Sequence, residues 1–188
     1  MSNTLFPIFI KPDQLDILLV GGGEIALEKA QSILKQNPNA NIEVVSLAFT
    51  EELIKYLSKF ENISIYQKAF ESSDMLGKHI VVAATNNYKT NEHIRRAANK
   101  FKAILNIADK PSYCDFYLGS IVKKGDLKIG ISTNGKSPTL AKRMREYFEA
   151  ELPEETQELL NNLNRHRNKL SGNLSYKIKE LNKLTAMF

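Results

Sequence analysis

At 188 residues the chain is long enough for one ordinary domain, or for a domain with a small appendage. Its 43% hydrophobic and 25% charged residues provide for a buried core and argue against extended disorder, and no apolar run approaches the ~20 residues that a bilayer span requires. One cysteine, Cys114, excludes an intrachain disulfide and a Cys-rich metal cage, and the opening MSNTLFPIFIKPD lacks a basic start and a small-residue cleavage site, so a reducing cytoplasm is the expected compartment.

Residues 5–10 (LFPIFI) are expected to form a short strand that ends in a turn at Lys11-Pro12-Asp13. Residues 15–20 (LDILLV) then give a nearly continuous apolar run, the pattern of a central parallel strand covered on both faces. This strand runs into a glycine turn in which Gly21, Gly23 and Ala26 fit G-x-G-x-x-A. Gly21 takes the tight turn, Gly23 lets the backbone approach a pyrophosphate, and small Ala26 allows the following helix to pack closely on the strand. Glu24 and Ile25 open that helix, where free N–H groups suit a phosphate, so Gly21, Gly23, Glu24 and Ile25 are candidate cofactor contacts. Asn37-Pro38-Asn39 is a stop signal, residues 41–46 (NIEVVS) read as a second strand, and Thr50 is placed to cap a helix through Leu53 and Leu57. Further strands are expected at 63–67, 79–85 and 103–109, with a helix over 91–101 between the last two. The alternation predicts an α/β fold with a doubly wound parallel sheet, whose ligands sit at the carboxyl ends of the strands.

One part expected of a dinucleotide site is missing. The second strand usually ends in an acidic residue that binds the ribose hydroxyls of the adenosine. Here that edge reads Ser46-Leu47-Ala48, and the nearest acid, Glu43, lies inside the strand. Ser46, Leu47 and Ala48 are therefore candidate cofactor contacts with modest NAD affinity expected of them, since a hydrogen bond to a charged acceptor is worth about 1.5–3 kcal/mol. No basic residue at this edge welcomes a 2′-phosphate, which favours NAD over NADP. Thr85 and Asn86, at the edge of the fourth strand, are further candidates for touching the cofactor, or else simply open a loop.

Past Asp109 the pattern changes to two strands, 115–122 and 127–133, joined through Lys123-Lys124-Gly125-Asp126 as a hairpin. Ser137 as N-cap and Pro138 as first helical residue then open a long helix. From Pro153 onward two amphipathic helices are divided near Ser171-Gly172-Asn173. A hairpin with helices does not easily close a core alone, so a second subunit is expected to complete it. From 161 to 188 six basic residues stand against Glu180 alone, so this tail carries the chain's whole formal charge of +5. It reads as a solvated helical face or as a platform for an anionic ligand; no aromatic interleaving or DNA-binding motif supports nucleic acid.

Five segments together carry a resemblance: Phe6-Pro7-Ile8-Phe9, GGGEIALEKA from Gly21, AATNN ending at Asn87, NIAD ending at Asp109, and NGKSPTLAKRMRE from Asn134. In this order they resemble the siroheme synthase family of precorrin-2 dehydrogenases, over nearly the whole chain except the last forty or so residues, which match only in helical character. The resemblance implies a Rossmann-like NAD-binding domain over 1–113, a small α+β dimerisation domain over 114–150 and a helical C-terminal domain over 151–188. It also implies a cytoplasmic homodimer that oxidises precorrin-2 to sirohydrochlorin with NAD, followed in some members by iron insertion.

That chemistry needs a hydride to leave toward the nicotinamide and a proton to leave to a base. Asp109, at the end of the fifth strand, matches the family's catalytic aspartate by its NIAD context, although Asp before Lys110-Pro111 also suits a plain turn. Asn106, three residues earlier, is a substrate-binding candidate, but the odd separation puts the two side chains on opposite pleat faces unless the strand has already ended. Ser137 is first an N-cap and second a hydroxyl for a substrate carboxylate; Thr133 stands where relatives often carry a serine. His79, His93 and His166 show no metal-ligand spacing, so no bound metal is expected. Two alternatives stay open: a bifunctional enzyme that also inserts ferrous iron, and a non-catalytic NAD-sensing module, which would normally carry the ribose-binding acid and lack the hairpin.

Overall fold

The computed structural model describes residues 3–185, which form two compact units, one ending at Leu118 and one starting at Gly119. The first is a five-stranded, wholly parallel sheet in the order β3-β2-β1-β4-β5, built of β1 (Asp16–Val20), β2 (Asn41–Ser46), β3 (Ile63–Gln67), β4 (Ile80–Ala83) and β5 (Ile104–Ile107). Three helices cross between strands: α1 (Glu24–Leu34), α2 (Glu51–Leu57) and α3 (Tyr88–Phe101).

The period-2 alternation of β1 explains why helices lie on both faces. Ile17 and Leu19 pack with Ala26, Ala30 and Leu34 of α1 and with Leu53 and Leu57 of α2. Leu18 and Val20 point the other way, onto Ile94, Ala97 and Ala98 of α3 and onto Met75. Each such fully buried Leu or Ile contributes about 1.5–3 kcal/mol of transfer free energy, so the central strand is a large share of what holds this unit together. Thr50 caps α2 as expected, accepting from the Leu53 N–H at 3.4 Å.

The segment at 5–10 corrects an expectation, for it is not a strand. Phe6, Ile8 and Phe9 are exposed, and no backbone of the sheet lies alongside to pair with them. Apolar residues in a short run supply a strand's composition but not its partner. Residues 115–118 likewise do not start the hairpin strand. They run back along β5: the Asp115 N–H donates to the Leu105 carbonyl at 2.7 Å, and the Leu105 N–H donates to the Asp115 carboxylate at 2.9 Å. Phe116 and Leu118 pack on the first core, and the first compact unit runs to Leu118.

In the second unit, β6 (Ser120–Lys124) and β7 (Leu127–Ile131) form an antiparallel hairpin with Gly125 at φ +58 in its turn and Lys123 directly opposite Lys128. Helix α4 (Pro138–Glu151) packs on this hairpin, and α5 (Thr156–Lys169) pairs with α6 (Leu174–Leu184). Gln157 of α5 latches the hairpin turn by accepting from the Asp126 N–H at 2.7 Å and donating to its carboxylate at 3.0 Å. Hairpin and helices belong to the same compact unit. Among the described residues no helix is long and apolar enough to cross a membrane.

Candidate cofactor cleft and active site

The carboxyl ends of all five parallel strands open into one cleft of about 880 Å³. Its floor is the glycine turn. Gly21 has φ +139, and a Cβ there would come within 2.3 Å of the Ala84 carbonyl oxygen. Gly22 is stricter still: a Cβ would lie 1.8 Å from the carbonyl oxygen of Ala48, so the turn and the edge after β2 touch backbone to backbone. Gly23, by contrast, faces open space within 4 Å and ends in the N-cap of α1 with no side-chain cap. The first N–H groups of α1 have neither intrahelical acceptors nor a side-chain cap, the arrangement in which a pyrophosphate is held.

Of the residues singled out from sequence, Gly21, Gly23, Glu24, Ile25, Ser46, Leu47, Thr85, Asn86 and Asp109 all border this cleft. Ala48 does not; its carbonyl is the wall against Gly22. Asn106 does not either. It is 6% exposed, and its Nδ2 donates to the Phe116 carbonyl at 2.8 Å, so it anchors the segment that returns along β5. The strand ends at Ile107, after which Asp109 turns into the left-handed region at φ +58 and is exposed at the cleft. Aspartate is among the few residues that enter this region readily. Thr133 and Ser137 lie in the second unit, where Ser137 Oγ accepts from the Leu140 N–H and Thr133 Oγ1 from the Ser137 N–H, both at 3.1 Å.

The structure adds residues that sequence reasoning passed over. Asn91, buried on α3, donates from Nδ2 to the Thr85 carbonyl at 2.9 Å and so fixes the loop after β4. His93 borders the cleft with its ring edge-on to Phe70 at 5.1 Å between centroids, and its Nε2 shares a 2.9 Å hydrogen bond with Ser72 Oγ. Lys68 enters from the end of β3 with its N–H on the Ser46 carbonyl at 2.9 Å, which corrects the reading that this edge has no basic residue. Its ammonium donates to Asp74 at 2.6 Å and lies 3.6 Å from Glu71; the bond to Asp74 raises its pKa. No sequence pattern could place Lys68 beside Ser46, because 22 positions separate them and only the β2–β3 register joins them.

Cys114 sits behind β5. Burial pushes its thiol pKa up, and Sγ donates to the Ile107 carbonyl at 3.2 Å, which marks it as a packed, unreactive side chain. His79 accepts from the Asp16 N–H at 3.0 Å, a structural bond. Among the described residues no three His, Cys, Asp or Glu side chains converge as a metal site.

Comparison with known proteins gives this geometry a lineage. Residues 8–120 match a family described as "Putative NAD(P)-binding", and residues 124–151 match "Sirohaem biosynthesis protein central". A siroheme synthase of Nitrosomonas eutropha is 34% identical over 79% of this chain and 31% of its own length. Siroheme synthase 1 of Aeromonas salmonicida is 38% identical over 79% of the chain and 31% of its own length, and the siroheme synthase of Ruthia magnifica is 32% identical over 93% and 34%. The chain thus spans about a third of the length of the curated relatives it matches. A solved structure titled SirC, precorrin-2 dehydrogenase, shares the fold at a TM-score of 0.76 and 22% identity, covering 96% of this chain and 89% of that one. The chain belongs to the siroheme synthase family and carries that family's NAD(P)-binding and central segments.

Proposed function

We propose that the protein oxidises precorrin-2 to sirohydrochlorin, with NAD as hydride acceptor and Asp109 as the base. The observation that carries the reading is that the glycine turn and the Asp109 carboxylate border a single cleft. Bound there, the dinucleotide would accept a hydride, which carries two electrons and one proton. The chain's own residues do the rest. The turn at Gly21, Gly22 and Gly23 admits the pyrophosphate, the first N–H groups of α1 bind it, and Thr85 and Asn86, steadied by Asn91, line the path toward Asp109. Asp109 takes the proton that the macrocycle loses as the hydride leaves. Thr133 and Ser137, whose oxygens already accept backbone N–H groups, keep their O–H donors for substrate carboxylates.

The partner is a second copy of this chain, in a reducing cytoplasm that suits the free Cys114. Leu140, Met144 and Tyr147 recur at helical spacing on α4 and are exposed, and such a contiguous apolar face fits a homodimer contact.

The test is absorbance during anaerobic incubation of the purified protein with precorrin-2 and NAD. NAD-dependent formation of sirohydrochlorin supports the reading, and none refutes it. Asp109→Asn keeps left-handed tolerance at this position while removing the base, and is expected to lower single-turnover oxidation by at least about a hundredfold with NAD binding retained. Unchanged turnover removes Asp109 from the mechanism.

A further inference from the structure

The adenosine end of the cleft departs from the usual arrangement in a way that bears on which dinucleotides it takes. In this fold a carboxylate at the end of the second strand binds the ribose hydroxyls and, by like charge, turns away a 2′-phosphate. Ser46 and Leu47 stand there instead. Glu43, the nearest acid in β2, is committed to the ammonium of Lys78. The carboxylates that border the cleft, Glu24 and Asp109, come from the start of α1 and the end of β5, not from the ends of β2 and β3.

The charged group at this end is Lys68. Its backbone is pinned to Ser46 by the N–H to carbonyl bond at 2.9 Å, so its position relative to the end of β2 is set by the sheet. Its ammonium is steadied by Asp74 and Glu71, which do not themselves border the cleft, and its side chain remains 39% exposed. An ammonium has three donors, and the contact with Asp74 uses one. The conformational cost of ordering the long stem is already met by these contacts.

We propose that this end of the cleft accepts a 2′-phosphorylated dinucleotide as well as the unphosphorylated one, with Lys68 as the residue that meets the 2′ substituent. The proposal rests on the reading of the cleft as a dinucleotide site. Repulsion is missing because the acid is missing, and attraction is tempered because Asp74 and Glu71 share the cation. The outcome is near parity between the two cofactors rather than a reversal of preference.

The experiment is titration of the full chain with NADH and with NADPH, followed by fluorescence of the reduced nicotinamide; the absence of tryptophan keeps the protein background low. Dissociation constants within about tenfold of each other are expected. Lys68→Gln is expected to shift the NADPH-to-NADH ratio of constants by at least about fivefold against NADPH, a shift that added salt mimics and that Lys68→Arg reverses. Binding of neither cofactor overturns the dinucleotide reading itself. Binding of NADH with NADPH more than about tenfold weaker, or a Lys68→Gln ratio equal to that of the unsubstituted chain, leaves that reading standing and overturns this proposal. The comparison of cofactors in the unsubstituted chain decides the matter even if a variant folds poorly.

Discussion

The two units of this chain bury their apolar residues very differently. The sheet unit hides Leu18, Leu19, Val44, Val81, Ile94 and many more behind helices on both faces, whereas beyond Leu118, among the described residues, Val122 and Ala141 are the buried apolar ones. Both units have regular elements, caps and latches, so local order does not separate them. What separates them is that a parallel sheet must be covered twice by its own crossover helices, while a hairpin with helices can leave a face for another molecule. The first unit covers its own sheet around the cleft, and the second leaves Leu140, Met144 and Tyr147 exposed on α4, the face on which the proposed dimer rests.

Four substitutions break or sharpen that contrast. Leu18→Ala, in the centre of β1 with no exposed surface, is expected to cost about 2–5 kcal/mol in urea unfolding, while Ile178→Ala on exposed α6 stays within about 0.5 kcal/mol; equal losses would mean that the second unit has a core of its own. Met144→Glu places a charge on the apolar face of α4 and is expected to weaken self-association by at least tenfold, roughly 1.4 kcal/mol, as measured by light scattering across a dilution series. A chain that is monomeric before the substitution removes the dimer from the reading. Ser137→Ala deletes the hydroxyl that accepts the Leu140 N–H and should cost about 1 kcal/mol of helix stability, with a larger fall in substrate affinity if the hydroxyl also meets a carboxylate.

How far the sequence could be read follows the same division. Strands β1 to β5 were legible because burial on both faces leaves an apolar run bounded by turn residues, and Thr50, Ser137 and Pro138 announce their helix starts by local chemistry alone. The glycine turn was legible in outline, but not that Gly22 has the least room, since its constraint comes from the Ala48 carbonyl across the fold. Residues 5–10 and 115–118 misled because their composition is strand-like while their partners, or lack of them, are set at long range. The odd spacing of Asn106 and Asp109 already sets the two apart in the sequence; the strand's end at Ile107 and the return of Phe116 then turn Asn106 inward and leave Asp109 at the cleft. Lys68 was invisible because only the β2–β3 register brings it beside Ser46.

The register of the hairpin has an effect of its own. Lys123 and Lys128 face each other across β6 and β7, and like charges directly opposite on a sheet repel by a few tenths to about 1 kcal/mol. Counterions relieve that repulsion, so ionic strength firms this ribbon where it loosens ordinary ion-paired surfaces. The same pair guards the ribbon's two unpaired margins, where a bare hydrogen-bonding edge would otherwise recruit a neighbouring strand and begin to aggregate.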